Sequence, residues 1–438
     1  MYQFSVPHLE SAFRLDSSQV VITGQTTIQQ GDRQVLIFEV RLTQPDWWCR
    51  SCGCQATSRG SRSRQLFHAP NGSRPVRLLL RLRCFSCTLC GMYWSEQVPA
   101  DLASAGSKLT RAAINWALVS VVLDGLSINA VARNLGTAWN TVNDAVLEAG
   151  YTHLISDPTR FEGVTTIGVD EHCWRHVGWR SDRFVTAIID LTPRSDGRPA
   201  RLLDMIPGRS KQVLASWLNG QSTKFKLNVK TVAMDGFTGY KSAVREVLKT
   251  AATVMDPFHV VRLVGDKVTQ CRQRLQQETL GRRGRKNDPL YQARRLLLTR
   301  NKLLSETAAP KVDAIIQNPR YEALTRIWSL YQAVINAYEN PKRLQGREKL
   351  ACIIDALNAD TTRGNPELRS LARTLHKRRN DILAYFTHPH SSNGPTEAIN
   401  GRLEHLRGIA LGFRNLQNYI HRSLLHTGGF KHHLQSLL

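Results

Sequence analysis

The sequence contains no apolar run long enough to cross a membrane. Its longest, around Ala117 to Leu123, falls far short of the roughly 20 residues a helical span needs. The opening MYQFSVPHLESAF lacks a charged start followed by an apolar stretch, so no secretory signal is read. No internal repeat or low-complexity run is present. A hydrophobic content of 42% suits packed cores and excludes a disordered polymer. Negative charge is in short supply: Lys and Arg number 59 against 35 Asp and Glu, a net +24. That imbalance implies an anionic partner, nucleic acid before others. The chain has 438 residues, which predicts about two to four domains. The expected setting is the cytoplasm, in association with the nucleoid and not with a membrane.

Cysteine is present but odd in number. Six of the nine fall between Cys49 and Cys90. In a cytosolic chain such clustering points to a metal rather than to disulfides. Cys49-x-x-Cys52 and Cys87-x-x-Cys90 are two knuckles with 34 residues between them. Each can grip a metal from a tight turn, and together they complete a closed tetrahedral zinc site. Cys54 and Cys84 are surplus and leave the ligand set open. The preferred four are those followed by glycine at the second cysteine, Cys52-Gly53 and Cys90-Gly91. Four thiolates leave no open position, so the zinc is expected to be structural.

Between the knuckles, VRLLLRLRCF alternates Val76, Leu78, Leu80 and Leu82 with a largely basic opposite face, a period of two that predicts a half-buried strand. Helices follow. LSINAVARNLGTAWNTVNDAVLEAG has the pattern of a helix-turn-helix: Ser127 caps a short helix, Gly136 breaks it, and a second helix opens near Ala138. Its early positions Thr137, Trp139, Asn140 and Asn143 are expected to be exposed for DNA contact. An ordinary helical hairpin gives the same pattern.

From 164 to 256 the chain alternates strands and helices. The strands lie near VTTIGVD, RFVTAIIDL, ARLLDMI, VKTVAMD and AATVMD, and the helices near Lys211–Leu218 and Tyr240–Leu248. Asp170 and Asp235 close two of these runs. Carboxylates at strand ends of one sheet can converge on a hard cation. Phosphodiester chemistry calls for two such ions about 4 Å apart. Glu397, in SSNGPTEAIN at a helix start, is the candidate third carboxylate. Its charge would favour a helix N-terminus in any case. Asp190, Asp204 and Asp256 also end strand-like runs, so position alone does not choose among the aspartates.

IGVDEHCWRH, VAMDGFTGYKSA, VMDPFHVVRL and SSNGPTEAINGRLEHLRGIALGFRNLQNYI resemble the ISL-three family of insertion-sequence transposases. WNTVNDAVLEAG and the paired knuckles are similar to that family's amino-terminal part. The resemblance runs from about Trp47 to Phe430. It implies a ribonuclease-H-like core with an Asp-Asp-Glu triad, matched here by Asp170, Asp235 and Glu397, holding two Mg²⁺ (or Mn²⁺) ions. It implies cleavage and transfer of double-stranded DNA at terminal inverted repeats and into target DNA, by a homodimer or higher oligomer.

The expected architecture is therefore multidomain α+β. An N-terminal segment (1–45) leads to a zinc-binding module (46–100) and a helix-turn-helix domain (101–155). A ribonuclease-H-like α/β core (160–256) is interrupted by an all-α insertion (257–390) and resumes with Glu397 (391–438). The two spacings of the triad, 65 and 162 residues, leave room for that insertion. Between Arg262 and Lys302 it carries twelve Lys or Arg and three Asp or Glu. Arg282, Arg283, Arg285 and Lys286 are the candidate phosphate contacts there. Trp328 falls on a helical stripe with Leu324, Tyr331 and Ile335, which predicts core packing; stacking on an unpaired base is the sharper alternative. Two other functions fit parts of the sequence: a zinc and helix-turn-helix regulator, and a nuclease without strand transfer.

Overall fold

The computed structural model describes residues 13–15, 19–176, 183–193, 197–357, 364–389 and 391–435; other positions of the expected segments lie outside them. The chain divides into two compact units, residues 1–158 with 405–438, and residues 159–404. Two sheets and many helices make up the mixed α/β architecture.

The first unit opens with a sheet in the order β1-β2-β4-β3, with β5 paired to β4. Its strands are β1 (Val20–Gln30), β2 (Arg33–Leu42), β3 (Thr57–Asn71), β4 (Arg74–Ser86) and β5 (Tyr93–Ser95). The alternation read in β4 sets its faces: Val76, Leu78, Leu80 and Leu82 are buried against Phe38, Val40 and Leu66. Segment 1–45 is thus not separate from the cysteine module, because β2 pairs in parallel with β4. Three helices follow, α1 (Arg111–Val122), α2 (Ile128–Leu135) and α3 (Trp139–Gly150). Ser127 caps α2 by accepting from the Ala130 amide, and Gly136 ends it at φ +66°. Leu118, Val131, Leu135, Val142 and Val146 form their core, which Leu425, Phe430 and Leu434 join. The segment from 405 onward therefore packs with the first unit, where 391–438 as a whole was expected to continue the catalytic core.

The second unit contains β6 (Thr166–Cys173), β7 (Phe184–Asp190), β8 (Arg201–Pro207), β9 (Thr231–Met234) and β10 (Ala252–Met255). Their order is β10-β9-β6-β7-β8. β6, β9 and β10 run parallel, and β7 is antiparallel to both its neighbours. The parallel strands need helical crossovers. α4 (Lys211–Gly220) and α5 (Thr223–Asn228) precede β9, and α6 (Thr238–Val247) lies between β9 and β10. The helical region then runs through α7 (Pro257–Leu280), α8 (Ala309–Ile316), α9 (Glu322–Tyr338), α10 (Arg343–Ala356), α11 (Pro366–Lys377) and α12 (Arg379–Thr387). Its core holds Val264, Val268, Leu324, Ile327, Val334 and Leu371. α13 (Gly394–Ile409) returns to the sheet, and α14 (Leu416–Thr427) follows it. Among the described residues no helix is long and apolar enough to cross a membrane.

Candidate metal and DNA-processing sites

Strand register brings the two aspartates together. β6 and β9 pair Val169 with Met234, so Asp170 and Asp235 follow side by side at the carboxyl ends of neighbouring strands, where α/β sheets bind ligands. β6 does not stop at Asp170 as its apolar run suggests; it continues to Cys173, held by β7. His259, in the first turn of α7, is the third member, a residue the sequence reading missed. One ligand atom from each of Asp170, Asp235 and His259 lies within 4.8 Å of the others. Asp256, just before α7, fixes the imidazole through Nδ1 at 3.2 Å. The Asp-Pro-Phe-His run of VMDPFHVVRL carried that i, i+3 signal.

The helix bearing Glu397 is seated on β6 by a repeating register. Position 168 is glycine, and a Cβ there would meet the Thr396 hydroxyl and Leu191 at 2.9 Å. Two residues along the strand, Asp170 accepts from Asn400 Nδ2 at 2.9 Å. Two further, His172 lies 4.0 Å from Glu404. Steps of four on the helix match steps of two on the strand because both advance about 6–7 Å. The helix start is tied to α7 as well, since Asn393 N–H donates to Asp256 at 2.7 Å. Glu397 is exposed in the first turn of α13, one turn before Asn400. It is not among the three groups that meet within 4.8 Å.

The electrostatics follow from crowding acids in a buried place. Burial, with the Asp235 charge adding to it, pushes the Asp170 carboxyl up to about 6, against the pull of His259 and Asn400. Burial also raises Asp235. The hydrogen bond to Asp256 raises His259. Paired carboxylates with an imidazole suit a hard divalent cation such as Mg²⁺ or Mn²⁺. The other strand-end aspartates are engaged elsewhere: Asp190 pairs with Arg201 at 3.1 Å, Asp204 accepts from Trp217 at 2.7 Å, and Asp256 serves His259 and Asn393.

In the first unit the sulfurs of Cys49, Cys52, Cys87 and Cys90 converge within 4.8 Å. Cys49–Cys90 and Cys52–Cys87 are 3.5 and 3.4 Å apart. A tetrahedral ion with Zn–S bonds of about 2.3 Å would set its sulfurs roughly 3.8 Å apart, so the cluster can hold one. The two knuckles repeat one backbone pattern: Gly53 N–H donates to Cys49 O, and Gly91 N–H to Cys87 O. Both glycines are left-handed, at φ +71° and +72°, which accounts for the glycine after each knuckle. The Cys90 amide lowers the Cys87 thiol to about 6, and the Cys52 amide lowers Cys49. The surplus Cys54 and Cys84 are outside the cluster.

The Transposase family model of the ISL-three, DDE-type class matches residues 167–423, more than half of the chain. The chain belongs to the ISL-three family of insertion-sequence transposases. Two relatives agree with this, both described as the transposase for insertion sequence element IS1557, from Mycobacterium tuberculosis strains CDC 1551 / Oshkosh and H37Rv. Each is 25% identical over 326 residues, covering 70% of this chain and 69% of the relative.

The transposase's other predicted contacts divide. Trp139 and Asn140 are exposed at the start of α3 and Thr137 is half-buried. Asn143 corrects its expectation of exposure: it is buried, 4% exposed, with Nδ2 on Asp144. It shares the inward stripe with Val142 and Val146, because the hairpin buries a wider face than the two valines alone predict. Arg283, Arg285 and Lys286 are exposed, but Arg282 forms two bonds to Asp288 at 2.7 and 3.0 Å and braces the loop. Trp328 packs against the helical core while its Nε1 has no hydrogen-bond partner among the described residues, and it lines a groove of about 440 Å³ with Arg300, Lys302 and Gln332.

Proposed function

We propose that this transposase binds the terminal inverted repeats of its element and catalyses divalent-metal-dependent cleavage and transfer of DNA strands. The observation that carries this function is the meeting of Asp170 and Asp235 beside a helix whose first turn bears Glu397. Asp170, Asp235 and Glu397 act as the catalytic carboxylates holding two Mg²⁺ or Mn²⁺ ions, with His259 beside them. The bound ions supply charge neutralisation at the attacking and leaving oxygens. The chain's own groups do the positioning: Asn400 orients Asp170, Asp256 orients His259, and Gly168 lets the helix close on the strand. The central β6 with acids at adjacent strand ends, and the reversed β7, support a ribonuclease-H-like core. The four cysteines hold a structural zinc.

End recognition is assigned to the first unit. In its favour is an α3 whose N-terminus has no side-chain cap among the described residues and presents Trp139 and Asn140. Exposed amides there favour phosphate. The enzyme works in the cytoplasm at the nucleoid, as a dimer or higher oligomer on DNA. The test is cleavage of DNA carrying the inverted repeats that flank the coding sequence, with and without Mg²⁺, by wild type and by Asp235→Ala. Metal-dependent nicks at the repeat ends, absent from the variant, are expected. Tight binding without cleavage in any metal would leave a DNA-binding regulator instead.

A further inference from the structure

We propose that Arg378, from the helical region, is a positioning residue that holds Asp235 in place for its metal ion. The inference rests on the reading that Asp235 binds a divalent cation. Both ladders that flank β9 end at Met234, paired with Met255 on one side and Val169 on the other. Asp235 therefore lies just past the sheet, and a hold on its peptide from outside the sheet sets where its carboxylate points. Arg378 supplies one. It sits at the joint between α11 and α12, and its Nη2 donates to the Asp235 carbonyl at 3.4 Å. The same guanidinium attracts the Asp235 carboxylate.

Arg378 is itself fixed by a buried ion cluster. Its Nε lies 3.0 Å from Asp381 Oδ2, and the two residues are only 3% and 2% exposed. Asp381 also accepts from Lys241 in α6 and, at 2.8 Å, from the Thr253 hydroxyl in β10. One carboxylate thus gathers two helices and a strand around the turn that carries Asp235. Burying such charges contributes little net stability, because the loss of water offsets the Coulomb gain. The cluster instead fixes a geometry. Two cations meet one anion in it, and Arg378 Nη1 has no hydrogen-bond partner among the described residues, so its excess positive charge is left beside an acid that would ligate metal. The planar fork of arginine spans Asp381 and the Asp235 carbonyl at once, which the single nitrogen of a lysine does not. The helical region is on this account part of the frame of the metal centre.

The test is a calorimetric titration of Mn²⁺ into full-length, zinc-loaded protein on a repeat-end duplex, with a melting curve for each variant. Arg378→Lys keeps a cation for Asp381 but loses the bridge. It should bind Mn²⁺ roughly 10–100-fold more weakly, and its single-turnover cleavage should need correspondingly more Mn²⁺ and recover at high metal. Asp381→Asn keeps the size of the side chain and loosens the guanidinium, so Mn²⁺ affinity should fall in the same direction. Thr253→Val removes a bond to Asp381 and leaves Arg378 in place. It should lower the melting temperature and keep the wild-type Mn²⁺ affinity. If Asp235→Ala binds Mn²⁺ as the wild type does, the metal centre has been misread and this proposal falls with it. If Asp235→Ala loses an ion while Arg378→Lys and Asp381→Asn bind Mn²⁺ with wild-type affinity, the role of Arg378 alone is overturned. Equal losses of Mn²⁺ affinity in Arg378→Lys and Thr253→Val would also overturn it, and would leave the cluster a purely structural one.

Discussion

The cysteine cluster and the carboxylate cluster are assembled over very different spans of chain. Each pair of sulfurs comes from a four-residue knuckle whose own backbone bonds aim the thiols, and one hairpin brings the two pairs together. Asp170, Asp235 and His259 come from two neighbouring strands and the start of a helix, and Glu397 from a helix much further on. Asp170, Asp235 and His259 meet only if the sheet register holds, and the helix carrying Glu397 is brought to them by the tie from Asp256 to Asn393 and the close approach at Gly168. The chemistry differs to match. Four soft thiols close a coordination shell, whereas two hard carboxylates and an imidazole leave positions for water or a phosphate. A locally built site suits a structural ion; a site built from distant elements suits chemistry that depends on relative placement.

The largest effect should come from the carboxylates. Asp235→Ala is expected to lower single-turnover cleavage by about 10³-fold or more while repeat-end affinity in a gel-shift assay stays unchanged. The double variant Cys87→Ala, Cys90→Ala should do the reverse. Metal analysis should fall from about one zinc per chain to none, and end binding should be lost through disorder of the first unit. Retained zinc would return Cys54 and Cys84 to the ligand set.

Gly168→Ala sharpens the contrast, because it adds one methyl and removes no ligand. The clash with Thr396 should cost about 1–3 kcal/mol in chemical denaturation. Cleavage should fall by roughly 10²-fold through displacement of the Glu397 helix, with zinc content untouched. Wild-type cleavage in this variant would mean the helix register does not matter.

In the helix-turn-helix, Asn140→Ala should reduce preference for the repeat ends with little change in melting temperature. Asn143→Ala should destabilise by about 1 kcal/mol, because its amide is buried. Equal losses of specificity would contradict the inward placement of Asn143.

The smallest effect concerns pH. Asp170 titrates near 6 in the fold, above its ordinary 3.8, so the folded state binds more protons between those values and stability falls as pH rises through them. Asp235 is raised too. His259 is also raised, and its contribution is likewise lost as pH rises above its folded value. Metal-free protein should therefore melt a few degrees higher at pH 5 than at pH 7.5. Added Mg²⁺ should raise the melting temperature more at pH 7.5, and Asp170→Asn should flatten both trends.

Much of this was legible in the sequence, for reasons the two clusters illustrate. The strands of the second sheet read clearly because they are nearly continuous apolar runs, and the cysteine knuckles read clearly because their ligands are neighbours. β1 did not, since VVITGQTTIQQ is largely exposed and carries a register shift near Gly24, so no period of two survives. The role of residues 405–435 was hidden because their apolar stripe marks a buried face without naming what covers it. His259 was missed because a histidine at a helix start is ordinary until two neighbouring strands place an aspartate each against it.

In the proposed centre, Glu397 completes a site begun by Asp170 and Asp235. A calorimetric titration of Mn²⁺ into the complex with a repeat-end duplex, for wild type and for Glu397→Ala, tests it most directly. About two ions are expected to bind the wild type and fewer the variant, with DNA affinity unchanged. The same stoichiometry and metal affinity in both proteins would contradict it, and would leave Asp170, Asp235 and His259 as the whole of the site.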